Sequence, residues 1–304
     1  MKKTIVLSVA VCLSILSLWA CSKSPEEAYN EGLEYFSDGN NEKAVESFTE
    51  AITLKPDYVD AYVDRGYIYY FMGRYDEAMA DFEKAIALAP GSADGYIGRG
   101  KVYFDTERYE SALADFTEAV RLDTSSSKAY RERGESFYRL GEYTDALSDA
   151  DTALGIDPNN SEAFVTRGNA LWGLMRYDDA IENYTKAIAV DPNYAKAYNN
   201  RGVAYNYLKE FNKAVDDFTS ALSIDPNYRN AYCNRGDAYR YLTEYDKAVD
   251  DYTRAIDIDP GYAKAYNNRG IAYRKLERET EALADFERAC ELGDKNGCVN
   301  YGKR

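Results

Sequence analysis

The stretch AKAYNNRGVAYNYLKEFNKAVDDFTSALSIDPNY, residues 195–228, decides the fold, because its pattern returns every 34 residues in both directions. Its Gly202 has counterparts at 32, 66, 100, 134, 168, 236 and 270. Ala214 has them at 44, 78, 112, 146, 180, 248 and 282, and Ala221 at 51, 85, 119, 153, 187, 255 and 289. Counted from Pro25, eight copies follow without a break: 25–58, 59–92, 93–126, 127–160, 161–194, 195–228, 229–262 and 263–296. Within a copy an aromatic stands at position 4 in seven cases (Tyr62, Tyr96, Tyr130, Phe164, Tyr198, Tyr232, Tyr266), and Tyr, Phe or Leu stands at position 11. Positions 4, 8 and 11 share one face of a first helix, and 20, 24 and 27 share one face of a second. Small residues at 8 and 20 let the two backbones approach, and rings at 24 (Phe48, Phe82, Phe116, Tyr184, Phe218, Tyr252, Phe286) fill the space beside them. Proline at position 32 in six copies ends the second helix, and Asp-Pro-Asn or Asp-Pro-Gly supplies the turn.

This pattern resembles the tetratricopeptide repeat (TPR) family, whose W/Y-x2-L/R-G-x2-Y…A-x3-F…A…P signature it follows over roughly nine-tenths of the chain. The resemblance implies an all-α fold: a right-handed α-solenoid superhelix of eight 34-residue helical hairpins, numbered 1 to 8 below, with the first (A) helices lining a concave groove. Each hairpin is too small to bury its own apolar face, so stability comes from its neighbours. Ala28 in place of the position-4 aromatic and Asp294 in place of proline mark the two ends, and residues 297–304 are expected to cap the last hairpin.

The chain has 304 residues, 37 Lys and Arg against 52 Asp and Glu, and no His. Net acidity disfavours nucleic acid or an anionic membrane surface as the main partner. The lack of His removes the commonest general base and the commonest transition-metal ligand together. We therefore expect a protein that is not an enzyme and that has no cofactor, no metal site and no small-molecule substrate.

Residues 1–20 read as an export leader: Lys2 and Lys3 precede an apolar run from Ile5 to Leu18, too short for a membrane span. The segment Leu18-Trp19-Ala20-Cys21 resembles the lipobox of bacterial lipoproteins, which implies lipidation of Cys21 and cleavage before it, with residues 21–24 as a short tether. An ordinary secretory leader with Cys21 incidental is the alternative, and both export the protein. With Ser22 following the lipidated cysteine, the expected location is the envelope, on the periplasmic side of the outer membrane rather than the inner membrane.

Arg at position 7 recurs in seven hairpins and Asp at position 23 in six, a periodicity that matches structural ion pairs better than an anion track. Asp216-Asp217 and Asp250-Asp251 fall on second (B) helices and read as a solvated face. The resemblance assigns the groove to positions 2, 5, 6, 9, 12 and 13. Those positions hold Tyr29, Phe36, Tyr67, Tyr70, Phe71 and Phe104 in hairpins 1–3, an apolar docking patch or a consequence of 30 tyrosines. In hairpins 6–8 they carry Lys196, Arg240, Lys264, Arg274 and Lys275 against Asp237, with Asn200, Asn234 and Asn268 at position 6 and Asn199 and Asn267 one residue earlier. These resemble the asparagine ladder of glycosyltransferase TPR superhelices, in which amides bond the backbone of an extended peptide; solvated asparagines are the plainer alternative. The carboxylate clamp of chaperone-binding TPR domains is matched only at Asn234 and Lys264. Cys290 and Cys298 read as a disulfide in an exported protein or as two small buried hydrophobes, and Cys233, at groove position 5, is left unpaired.

Taken together these features point to a membrane-tethered scaffold or adaptor that binds proteins or extended peptides. Its alternatives are a recruiting arm of an envelope glycan-processing or secretion complex and a co-chaperone-like peptide-binding module.

Overall fold

The computed structural model describes residues 23–302, and residues 1–20, read above as an export leader, and Cys21 lie outside them. The described residues form seventeen α-helices and no strand. They divide into two compact units between Ser125 and Ser126. The first holds α1 (Pro25–Ser37), α2 (Asn41–Leu54), α3 (Val59–Phe71), α4 (Tyr75–Leu88), α5 (Ala93–Asp105) and α6 (Tyr109–Leu122). The second holds α7 (Ser127–Leu140), α8 (Tyr143–Ile156), α9 (Ser161–Gly173), α10 (Tyr177–Val190), α11 (Ala195–Tyr207) and α12 (Phe211–Ile224), then α13 (Arg229–Tyr241), α14 (Tyr245–Ile258), α15 (Ala263–Lys275), α16 (Glu279–Glu291) and α17 (Lys295–Tyr301). In each unit odd-numbered A helices alternate with even-numbered B helices, and α17 carries residues 297–301 of the segment read as a cap.

Local chemistry sets the helix ends. Ser24 and Glu27 form a reciprocal capping box around Pro25, satisfying two backbone N–H groups that the first turn leaves without partners. Between hairpins an Asx turn recurs: Asp157, Asp191 and Asp225 each accept the N–H two residues on, at 3.0, 2.9 and 2.9 Å. Within hairpins the A-to-B turn always passes through one left-handed residue at position 15. Glycine fills it at 39, 73 and 141, while Glu107, Met175, Lys209, Thr243 and Glu277 take it at φ near +60°.

Packing follows the columns. A Cβ at Gly236 would lie 2.7 Å from the Tyr252 ring, so the glycine is what lets the B-helix ring lie against the A-helix backbone. Hairpin 4 departs from this: with Ala150 at position 24, Gly134 instead faces Asp149 and Thr166. The Arg and Asp columns join as bidentate pairs inside hairpins, among them Arg65–Asp81, Arg201–Asp217, Arg235–Asp251 and Arg269–Asp285, with N···O distances of 2.7–2.8 Å. Asp217 and Asp251 are therefore 5% exposed, which corrects their reading as solvated; only Asp216 and Asp250 face water.

Cys290 and Cys298 are joined by a disulfide that ties the end of α16 to α17. Cys233 is fully buried, and burial pushes its thiol up to about 12. Peptide mapping after alkylation is expected to find Cys233 modified only when the unreduced protein is unfolded. Cys290 and Cys298 should be modified only after reduction. Labelling of either in the unreduced chain would contradict the bridge.

Candidate binding surface on the A helices

In the first compact unit the aromatic positions separate into two kinds. Tyr29 packs on Phe48 and Tyr58, with ring centroids 5.5 and 5.0 Å away, and its hydroxyl donates to Asp64 at 2.6 Å. Burial, then this bond, raises the Tyr29 phenol well above its ordinary range, and burial also raises the Asp64 carboxyl. Tyr29 is thus part of the packing between hairpins 1 and 2. Phe36 and Phe71 are open, 41% and 62% exposed, and their rings stack at 6.4 Å. Tyr67 and Tyr70 flank Phe71 at 6.4 and 5.5 Å, while Phe104 contacts Tyr109 at 5.3 Å. Leu33, at position 9 of hairpin 1, is 39% exposed and was not singled out by the sequence reading.

In the second compact unit the asparagines bond to one another across hairpins. Asn200 donates to Asn169 at 3.0 Å, Asn199 to Asn200 at 3.2 Å, and Asn234 to Asn199 at 3.0 Å. Asn169 Oδ1 also accepts from the Tyr184 hydroxyl at 3.0 Å. A second series begins at Asp237, which accepts from Tyr252 at 2.7 Å and from Asn268 at 2.9 Å. Asn267 then donates to Asn268 at 3.2 Å and Asn300 to Asn267 at 2.8 Å. Asn199 and Asn267 are 6% and 5% exposed, so they brace the series from behind. Asn200, Asn234 and Asn268 stand half-buried in front.

Lys196, Lys264, Arg274 and Lys275 are exposed and Arg240 is half-buried. Their charge is partly balanced: Glu135 comes to 3.6 Å from Lys196, Asp237 to 3.8 Å from both Lys264 and Arg240, and Glu279 to 3.2 Å from Arg274. The basic excess counted from the columns is smaller in space, because Glu135 reaches across from hairpin 4 to hairpin 6. Cys233, read as a groove position, is sealed inside the core formed with Ala248 and Tyr252.

Two clusters escaped the sequence reading. Arg131 pairs with Glu132 at 2.8 Å and Glu162 at 2.9 Å on α7 and α9. Burial opposes its charge, but the two carboxylates outweigh burial and hold the guanidinium above its ordinary value. The visible signal was the only Arg in the position-5 column, next to an acid at position 6. The second cluster is Trp172, Tyr177 and Tyr207, with centroids 4.6–5.2 Å apart, beside the stacked pair Phe211–Tyr241. Tyr207 and Tyr241 are 58% and 54% exposed; the signal there was aromatics at position 17 facing aromatics at 12 and 13.

Among the described residues no group of three or more His, Cys, Asp or Glu is placed to hold a metal ion, and no helix is long and apolar enough to cross a membrane.

Comparison with known proteins bears on the whole arrangement. Two family models described as tetratricopeptide repeat match residues 59–92, 195–228 and 263–296, and residues 97–161; a third, described as TPR repeat, matches 32–73, 176–208 and 236–277. A tetratricopeptide repeat protein from Parabacteroides merdae is similar at 19% identity and TM-score 0.65, over 85% of this chain and 100% of that one. A chain in the APC/C hetero-tetramer Cut9-Hcn1 is similar at 17% identity and TM-score 0.74, over 92% of this chain and 55% of that one. Pseudomonas aeruginosa pilF is similar at 21% identity and TM-score 0.59, over 69% of this chain and 94% of that one. At these identities the likeness concerns the fold. No curated protein sequence matches. With matches that begin in hairpin 1 and end in hairpin 8, and solved TPR folds along most of its length, the chain belongs to the tetratricopeptide repeat family, an all-α solenoid built as a scaffold for protein–protein interaction.

Proposed function

We propose that this scaffold is an adaptor of the bacterial cell envelope, tethered to the periplasmic side of the outer membrane through a lipid on Cys21. It holds an extended, acid-containing peptide segment along the A helices of hairpins 6–8. The observation that carries the reading is the fixed row Asn200, Asn234 and Asn268. Each side-chain nitrogen bears two hydrogens and commits one of them to a neighbouring amide or carboxylate. The second hydrogen remains for the carbonyl of a bound chain. Because the donors are already oriented, ordering them on binding costs little. Lys196, Lys264 and Lys275 beside the row favour acidic side chains on the bound segment.

The test is photo-crosslinking in intact cells from a reactive residue at Lys264, with Arg254 on a B helix as control. An adduct is expected from the first position alone and should disappear in the Asn200→Ala, Asn234→Ala, Asn268→Ala triple variant. Adducts equal at both positions, or surviving the triple variant, would sink the peptide reading. In the same cells Cys21→Ser is expected to move the protein from the membrane to the soluble fraction, and retention on the membrane would sink the tether.

A further inference from the structure

Hairpin 5 departs from its neighbours at several columns at once, and the departures meet in space. In hairpin 8 the position-11 tyrosine lies beside two guanidiniums: Arg269 is 5.7 Å and Arg278 4.4 Å from the Tyr273 centroid. Hairpin 2 repeats this, with Arg65 and Arg74 at 5.8 and 4.4 Å from Tyr69. Hairpin 5 keeps both arginines, as Arg167 and Arg176, but Leu171 stands where the ring would be. Position 23 also changes from Asp to Asn183, and Arg167 turns to Asp151 on the preceding B helix, at 2.8 Å. Arg176 still pairs with Asp179 at 2.6 Å, as Arg278 does with Glu281.

A cavity of about 210 Å³ opens among these residues, bordered by Arg167, Arg176, Asn183 and Lys186 and by Leu147 and Leu171. Asn183 is 4% exposed. Its amide nitrogen donates to the Asp179 carbonyl at 2.8 Å, while its Oδ1 has no partner in the chain. A buried acceptor without a donor is uncommon and calls for an explanation.

We propose that this cavity takes a phenol ring supplied from outside the chain, seated where six other hairpins place their own tyrosine, beside Arg167 and Arg176, with its hydroxyl donating to Asn183 Oδ1. Each guanidinium already lies within 2.8 Å of a carboxylate, although Arg167 Nε makes no aligned hydrogen bond there, and Lys186 pairs with Glu182, so the cavity has no spare charge to hold an anion. None of the bordering residues belongs to the A-helix surface described above, so the inference stands apart from the peptide reading.

The experiment follows the arginine Nε–H signals of the mature protein by NMR during titration with p-cresol, the tyrosine side chain as a free molecule. Saturable shifts are expected at Arg167 and Arg176. Toluene, which lacks the hydroxyl, should bind roughly 2- to 10-fold more weakly, the factor of one neutral hydrogen bond. Leu171→Tyr, which restores the residue found in six other hairpins, should fold normally and abolish the shifts. Absent shifts in the parent, undiminished shifts in Leu171→Tyr, or equal affinity for toluene would each overturn the proposal. An acetyl-Gly-Tyr-Gly-amide peptide that binds at least as tightly as p-cresol assigns the ring to a tyrosine of a partner protein. A peptide that fails where p-cresol binds assigns it to a free phenol.

Discussion

Phe218→Ala is expected to destabilise the compact unit of residues 126–302 by about 3–5 kcal/mol, the range for removing a fully buried phenylalanine. The Phe218 side chain is completely buried in a cluster with Ala214 and Ala238, against a glycine: a Cβ at Gly202 would stand 2.7 Å from its ring. The fully buried neighbours Ala214, Ala238 and Gly202 have no side-chain atoms that could move into the space, which leaves only the partly buried Val203, Tyr205 and Val215 to relax toward it. Hairpin 4 shows what accommodation requires, because Ala150 is native there and Thr166 and Asp149 lie against Gly134 in place of a ring. In hairpin 6 only the partly buried Val203, Tyr205 and Val215 border the ring, so most of the cavity stays open. Trp172 is the single tryptophan among the described residues and lies in the same unit, so its fluorescence reports the transition. At about 2–4 °C per kcal/mol for a unit of this size, the midpoint should fall by roughly 10 °C. A loss below about 1 kcal/mol would mean that ring and glycine do not hold the hairpin together. Gly202→Ala in the Phe218→Ala background should recover part of the loss, although alone it would press on the ring.

The repeat made the packing readable because each column answers to one contact that recurs in nearly every hairpin. Glycine at position 8, alanine at 20 and the ring at 24 are the same joint repeated, so spacing and residue size sufficed to identify them. Column position says less where partners lie in different hairpins. Asn199 and Asn200 are adjacent in sequence, yet one is buried and the other half-open, and their bonds reach residues 31 to 35 positions away. Glu135 meets Lys196 two hairpins on, so a local count of charges misjudged the field at that end. Cys233 sits at a groove position but turns into the core, a choice that its small apolar thiol permits and that spacing alone does not reveal. The cavity in hairpin 5 is an intermediate case. Leu171 and Asn183 were visible as exceptions to their columns, but only the structure brings them to one place.

Asp251→Ala is expected to cost about 3 kcal/mol, whereas replacing the whole pair by Arg235→Met with Asp251→Leu should bring the protein to within about 1 kcal/mol of the parent. Asp251 and Arg235 are paired through two hydrogen bonds of 2.8 and 2.7 Å, and their side chains are only 7% and 19% exposed. Burial raises the Asp251 carboxyl above its ordinary range even though the Arg235 hydrogen bonds pull the other way, so removal from water outweighs the attraction at this carboxylate. Its titration therefore contributes most stability below the ordinary carboxylate pKa, and that contribution is lost as the pH rises through the raised value. Arg235 stays cationic throughout. Removing Asp251 alone strands that cation against the Tyr232 and Tyr239 rings, 5.7 and 5.9 Å away, with Thr219 as its remaining acceptor. Removing both ends relieves the desolvation on each side and leaves apolar side chains beside those rings. Denaturant melts of Arg235→Met, Asp251→Leu and the double variant give the coupling directly, and a double variant as unstable as Asp251→Ala would show that the Arg and Asp columns contribute more than mutual neutralisation. Because the pair is internal to hairpin 7 and shares no hydrogen bond with Asn200, Asn234 or Asn268, the double variant should also keep the crosslink from Lys264. Loss of that crosslink in a stably folded double variant would turn the arginine column from structure into part of the binding surface.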